Sequence, residues 1–370
     1  MVNSILVVAN VASHFGGNFI ESLKMLDDSI KEKKGDMCYC FPISAKSSEW
    51  IECFKYIYFI KEYSIKELKS MFDKAIKERK IDIVHYHFLG FRESILCNIA
   101  LKNRAKSIYH FHNHVSLGKG VKRYIKRLVH KLTWSKAAKI AVSEGVAESI
   151  RTFSSNKLFV VYNGLDLKRL ENVNKEEEID DTKNACKLMI MGNHYERKGV
   201  DFAAKAVKFL NEEGILAVLY IVASPNMFDE VRKYVRIILR SNDFETYIKL
   251  IPSRNDIATY FNKIDIFLST SREEGFTWAI DEAIYCGCEV IATDISGQRE
   301  NKVPGFWWVS NPSCSLDLEQ EIVRTIRLIL KDNKTPMKHA IKIEKARKYI
   351  ENTYSIKKWA DRVIEVYLTE

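Results

Sequence analysis

Short runs of aliphatic and β-branched residues alternate with longer stretches in which apolar positions recur every three or four residues. The short runs predict strands at 4–10 ("SILVVAN"), 82–88 ("DIVHYHF"), 107–112 ("SIYHFH"), 139–143 ("KIAVS") and 158–163 ("LFVVYN"). After a polar gap they resume at 186–193 ("CKLMIMGN"), 216–223 ("LAVLYIVA"), 247–252 ("YIKLIP"), 264–270 ("IDIFLST") and 289–294 ("EVIATD"). Helical spacing fills the intervals, as in "IKELKSMFDKAIKER" (65–79) and "VDFAAKAVKFLNEEG" (200–214), the latter closing on Gly214 as a cap. Near-continuous apolar strands separated by helices imply parallel sheets covered on both faces.

The gap, "ENVNKEEEIDDTKNA" (171–185), is acidic, lacks apolar clusters and divides the predicted strands five and five. The fold class is therefore α/β, with two doubly wound Rossmann-like domains at 1–172 and 173–352. The amphipathic tail "YSIKKWADRVIEVYL" (354–368) makes a C-terminal helix within 353–370. That helix could pack on either half, and a return to the first is the expectation. Doubly wound sheets bind ligands beyond the carboxyl ends of their strands, so two halves facing each other would enclose a central cleft.

Composition narrows the class. A chain of 370 residues suits two domains of ordinary size, and 46% apolar with 29% charged residues is a soluble globular balance. No run approaches the ~20 apolar residues that span a bilayer, and no basic residue precedes the first apolar run as in a signal peptide. The eight cysteines lack C-x-x-C spacing, the close pairs being Cys38/Cys40 and Cys286/Cys288, and read as reduced thiols. A cytoplasmic location follows as the expectation. The net charge of +10 is concentrated in residues 101–170, which hold 15 Lys and Arg against 3 Asp and Glu. So local an excess points to an anionic partner: nucleic acid, acidic lipid or a phosphate-bearing substrate.

Candidate chemistry begins at "EEGFTWAIDEA" (273–283), where a strand ending near Ser269 gives way to a helix starting near Thr277. A helix start offers unpaired N–H groups to an anion, and Gly275 lets the backbone come close to one. Glu274 in the loop and Glu282 in the helix would place a carboxylate near each end of a phosphate, as the two sets of hydroxyls on a sugar nucleotide require. Glycoside hydrolysis is the rival use of two carboxylates, at separations of about 5 Å or about 6.5–9.5 Å. Eight helical residues span ~12 Å, too far unless the loop folds Glu274 back. A solvated glutamate beside an ordinary helix-terminal charge is the simplest alternative.

The stretch "DIFLSTSREEGFTWAIDEAIYCGCEVIATDISG" (265–297) resembles the signature of retaining glycosyltransferase family 4, of the GT-B fold. Asp265, Ser271, Glu274, Gly275, Phe276, Glu282, Ala283 and Gly287 match it, while Thr270 replaces a proline and Thr277 a glycine. "FGGNFIESL" (15–23) resembles the family's N-terminal glycine loop, "VVYNGLDLKRL" (160–170) its N-G-x-D segment and "MGNHYERKGVDF" (191–202) its turn into the nucleotide half. The resemblance implies a donor site of Gly16, Gly17, Asn193, Arg197, Lys198, Ser253, Arg254, Glu274, Gly275, Phe276, Thr277 and Glu282. It implies catalytic roles for His112, Lys198 and Glu274, with Glu274 on the donor hexose and Glu282 on the ribose. Asn193 stands where the family has a phosphate-binding arginine, offering a dipole without charge, and Arg197 is the neighbour that could substitute. "ASPNM" (223–227) replaces an expected G-D-G-P turn.

Five histidines fall in "HYH" (85–87) and "HFHNH" (110–114). His85 and His87 share one strand face, as do His110 and His112. A metal-dependent hydrolase built on these four is a reading of a different class; buried or capping histidines are the ordinary one. A GT-B epimerase acting on a sugar nucleotide is a further alternative. There is no D-x-D pair to hold a metal on a diphosphate, so no cofactor or metal is expected. The implied chemistry is metal-independent front-face transfer of a hexose from a nucleotide-diphosphate sugar, a UDP-sugar by expectation. Its acceptor would be a lipid-linked or cell-surface glycan. In "LGKGVKRYIKRLVHKLTW" (117–134), Val121, Ile125, Leu128, Val129 and Leu132 share a face, with Lys122, Arg123, Lys126, Arg127 and Lys131 on others. This helix could lie on an anionic membrane at the inner face of the cell, or be amphipathic with its charged side in water. Nucleic acid is not expected, because the basic residues are read as lacking interleaved exposed aromatics and no recognition module is present.

Overall fold

A computed structural model describes residues 4–61, 65–90, 96–117, 120–171, 173, 179, 184–301, 303, 305–313, 316–332 and 336–369. The acidic gap at 171–185 lies largely outside the described residues, as do Gly118 and Lys119 of the basic segment. The chain forms two compact units, Met1–Asp166 with Tyr354–Glu370, and Leu167–Thr353.

The first unit is built on seven parallel strands: β1 (Ser4–Ala9), β2 (Asp36–Pro42), β3 (Ile57–Ile60), β4 (Ile83–His87), β5 (Lys106–Phe111), β6 (Ala138–Ala141) and β7 (Leu158–Val160). Their order across the sheet is β3-β2-β1-β4-β5-β6-β7. Every residue of β1 is buried, as its unbroken run of Ile, Leu and Val requires for a strand covered on both faces. Helix α1 (Gly17–Glu32) follows β1 and buries Phe19, Ile20, Leu23, Leu26 and Ile30 at helical spacing. Helix α2 (Val121–Trp134) lies between β5 and β6.

The second unit holds six parallel strands: β8 (Cys186–Met191), β9 (Ala217–Ala223), β10 (Ile248–Pro252), β11 (Ile266–Ser269), β12 (Glu289–Thr293) and β13 (Trp307–Val309). They run in the order β10-β9-β8-β11-β12-β13. Helix α3 (Val200–Glu212) buries Ala203, Ala204, Val207 and Leu210 in the core that includes Leu188, Ile190, Leu219 and Ile221. Each such Val, Leu or Ile contributes about 1.5–3 kcal/mol by leaving water. Helix α4 (Trp278–Cys286) follows β11, and Gly287 closes it with φ at +99°. The terminal helix α5 (Ile356–Thr369) belongs to the first unit and lies against α1. It is anchored where Leu165 N–H donates to the Tyr354 carbonyl at 2.6 Å.

All ten predicted strands form, but among the described residues the division is seven and six, not five and five. β2, β3 and β13 went unpredicted. β3 and β13 are short edge strands of four and three residues, and β2 mixes cysteine, tyrosine and proline instead of repeating β-branched residues.

Candidate functional site

In the second unit Glu274 sits in the loop between β11 and α4 and is only 5% exposed. Oε1 receives Lys198 Nζ at 2.7 Å and the Ser271 hydroxyl at 2.7 Å, and Oε2 receives Arg197 Nη1 at 2.9 Å. Burial alone would push this carboxyl up, but the Lys198 and Arg197 charges and the two hydrogen bonds outweigh it and hold its pKa below the ordinary value. Both cations come from one helical turn, Tyr195–Lys198, which ends on Gly199 in the left-handed region (φ +70°). A side chain at Gly199 would collide with the Thr270 carbonyl oxygen, so only glycine lets this turn rest on the end of β11. Thr270 fastens the same junction, its hydroxyl donating to the Gly199 carbonyl at 2.9 Å. The residue that departs from the family proline therefore has a physical task.

The neighbouring groups divide by task. Asn193 accepts from Ser224 N–H at 2.9 Å through its amide oxygen and donates to the Ser224 hydroxyl at 3.3 Å. It ties the loop after β8 to the loop after β9, within the "ASPNM" segment. Arg197 also donates to the Glu273 carbonyl at 3.0 Å, so it is the guanidinium that reaches the loop. Gly275 and buried Phe276 continue that loop, and Thr277 is the residue before α4, its buried hydroxyl without a hydrogen-bond partner. Ser253 follows β10 and hydrogen-bonds through its N–H to the Ala223 carbonyl at 2.9 Å. Arg254 pairs with Asp256, whose carboxyl it holds below the ordinary range, and stacks over the Tyr260 ring at 4.9 Å.

Glu282, buried in α4, forms an ion pair with Arg169, which also donates to the Asn255 carbonyl at 2.8 Å. Arg169 was not among the expected site residues, although it lies inside the "VVYNGLDLKRL" segment. Arg272 was missed as well. It grips Asp201 through two bonds of 2.8 and 2.6 Å, donates to the Glu196 carbonyl at 2.6 Å and covers the Phe202 ring at 4.2 Å, bracing the turn that carries Arg197 and Lys198.

In the first unit, Gly16 precedes α1 and Gly17 opens it with φ at +57°. His112 follows β5; its Nε2 lies 3.0 Å from His87 Nδ1, and its ring stacks on Phe88 with centroids 3.9 Å apart. Burial pushes its pKa down to about 3, so the ring is neutral at ordinary pH. His110 and His112 line a cavity of about 680 Å³ with Phe88, Tyr109 and Trp134. Lys126 and His130 of α2 reach the same cavity. The rest of α2 turns an apolar stripe outward: Val121, Tyr124, Ile125, Leu128 and Leu132 are each 59–76% exposed. Among the described residues no helix is long and apolar enough to cross a membrane.

Family models match both units: "Glycosyltransferase Family 4" over residues 56–169 and "Glycosyl transferases group 1" over residues 185–332. No curated protein sequence matches the chain. Among solved structures, a glycosyltransferase from Rickettsia africae superposes with a TM-score of 0.81 at 18% identity, covering 99% of this chain and 97% of that one. Anabaena HepE in complex with UDP-glucose gives a TM-score of 0.77 at 16% identity, covering 99% and 100%. The sucrose-phosphate synthase of Thermosynechococcus elongatus gives 0.73 at 15%, covering 99% of each. With its two units matched separately and its fold shared along nearly the whole length, this chain belongs to the glycosyltransferases of the GT-B fold.

Proposed function

We propose that the chain is a retaining glycosyltransferase that takes a hexose from a UDP-sugar and places it on a hydroxyl of a lipid-linked or cell-surface glycan. The observation that carries the reading is the buried Glu274 carboxylate, held by Lys198, Arg197 and Ser271 where β11 meets α4. A carboxylate so placed can accept hydrogen bonds from sugar hydroxyls. Lysine and guanidinium groups within one turn can hold a diphosphate, whose bidentate oxygens suit arginine. Glu282 is assigned to the ribose, and His112, neutral, to the transferred sugar. That Anabaena HepE was solved with UDP and with UDP-glucose supports uridine as the base.

The reaction proposed is front-face substitution without a metal on the diphosphate. The bond from the anomeric carbon to the diphosphate oxygen breaks, the acceptor oxygen bonds to that carbon on the same face, and the departing phosphate oxygen takes the acceptor's proton. Lys198 and Arg197 stabilise the charge that grows on the leaving group, where positioned donors are worth several kcal/mol each. A thermal-shift panel of UDP-, GDP- and ADP-sugars, with and without EDTA, tests the donor. The reading predicts stabilisation by a UDP-sugar that EDTA leaves intact; no shift with any nucleotide sugar sinks it. The anomeric configuration of the product, read by NMR, tests retention.

The outward apolar stripe of α2 favours a second element of the same reading. An ordinary amphipathic helix would turn these residues inward. Here they face out beside Arg123, Lys126, Arg127 and Lys131, all exposed. We assign this surface to an anionic bilayer, which takes up apolar side chains and cations together. The enzyme would then work peripherally at the inner face of the cell membrane, where a lipid-linked acceptor is presented.

A further inference from the structure

Three histidines of the first unit form a cluster that the transfer reaction does not use. His85 and His87 project from one face of β4, and His110 projects from β5 beside His87, with which it is in register. All three are buried, and each offers a ring nitrogen within 4.8 Å of the others'. We propose that His85, His87 and His110 form a zinc site, with a water from the adjoining cavity as the remaining ligand.

Several independent features meet there. His87 Nε2 is buried and has no hydrogen-bond partner, an arrangement a folded core seldom leaves unless something binds. His85 Nε2 and His110 Nδ1 lie 3.3 Å apart, a close match to the spacing of two nitrogen ligands that each sit about 2.0–2.1 Å from a tetrahedral ion. The Tyr367 hydroxyl lies 2.7 Å from His85 Nδ1. An outer partner on one ring nitrogen is the usual device for fixing the tautomer that presents the other nitrogen to a metal. His110 lines the cavity of about 680 Å³, which supplies an entry path. The donor set is all imidazole, which suits zinc, cobalt or nickel and not magnesium or calcium. The site shares no residue with the donor-binding set, though His87 Nδ1 lies 3.0 Å from His112 Nε2, and metal binding is read by an assay separate from transfer. It is an alternative to the expectation of a metal-free chain.

The test uses the full-length protein stripped with EDTA, dialysed free of chelator and titrated with Co(II). One equivalent should give the intense visible absorption of four- or five-coordinate cobalt, and one equivalent of Zn(II) should abolish it by displacement. His85→Gln and His87→Gln should lose the absorption, and Tyr367→Phe should keep it with about tenfold weaker affinity. Only the weak spectrum of hexaaqua cobalt, or an unchanged intense spectrum in both histidine variants, overturns the proposal. Should those variants fail to fold, the stripped wild type decides: zinc must raise its Tm, and Tyr367→Phe must need more zinc for the same rise. No rise in Tm with zinc overturns the site.

Discussion

Lys198 Nζ stands 2.7 Å from Glu274 Oε1, while the preceding residue, Arg197, holds Oε2 at 2.9 Å. One buried carboxylate is thus shared between two cations of a single helical turn, and that turn is locked to β11 by Gly199 and Thr270. Of the two, Lys198 is the better covered, its side chain 20% exposed against 38% for Arg197. Lys198→Ala should therefore lower kcat by about 10²–10³-fold, the loss seen when one positioned donor to a developing charge is removed. Arg197→Ala should cost less. Steady-state kinetics with a UDP-sugar measure both, and full turnover in a folded Lys198→Ala protein would contradict the assignment.

The same contact predicts a pH dependence of stability. The folded-state pKa of Glu274 lies below its ordinary value of 4.5 because the nearby cations outweigh desolvation. A depressed carboxyl contributes stability that is fully present above the unfolded value and is lost as pH falls through the folded one. The stability difference between the wild type and Glu274→Gln should be constant from pH 7 to about pH 5 and shrink below pH 4.5. Urea denaturation at a series of pH values reads it. A gap that widens in acid has the wrong sign for this ion pair.

Arg169 and Glu282 make a different kind of pair, with side chains 13% and 7% exposed. Removing one partner takes this contact from a charge in a dry place, a loss of about 3 kcal/mol or more. Arg169→Ala should lower the urea midpoint of the second unit accordingly. Arg169→Met combined with Glu282→Gln should recover much of it, because neither buried charge remains. If the double variant is no more stable than the single one, burial of the charge is not what the pair compensates.

These two pairs show what sequence could and could not supply. The end of β11 at Ser269 and the start of α4 after Thr277 were legible because the apolar run, Gly275 and the helical spacing lie within one short stretch. Glu274 was legible for the same reason. Its partners Arg197 and Lys198 lie 77 and 76 positions away, yet they too could be named, because their segment resembles a known turn. Arg169 had no such mark: it reaches Glu282 across 113 positions, and nothing local distinguishes it from the other basic residues around it. Arg272 was hidden in the same way by its partner Asp201, 71 positions distant. Asn193 read as an uncharged residue in the place of a phosphate-binding arginine; that both of its amide atoms meet Ser224 appears only once β8 and β9 pair. Local chemistry shows in sequence; the partner that completes it shows only when the sheet brings distant loops together.

The apolar stripe of α2 carries the last prediction. Ile125 and Leu128 are 60% and 59% exposed and lie on the same side of the helix as Val121, Tyr124 and Leu132. Such a face in water costs apolar hydration, and insertion into a bilayer would recover about 25 cal/mol for each Å² covered. The cations around it should add roughly 1 kcal/mol each near an anionic surface. The wild type should therefore float with vesicles rich in anionic lipid and much less with zwitterionic ones. Ile125→Ser with Leu128→Ser should release it from both, and Arg123→Gln with Arg127→Gln should remove the preference for anionic lipid while leaving weak residual binding. The thermal shift with a UDP-sugar should survive in all of these variants, since none of the substituted residues belongs to the proposed donor-binding set. Flotation that ignores both the lipid charge and the serine substitutions would mean that α2 does not meet a membrane.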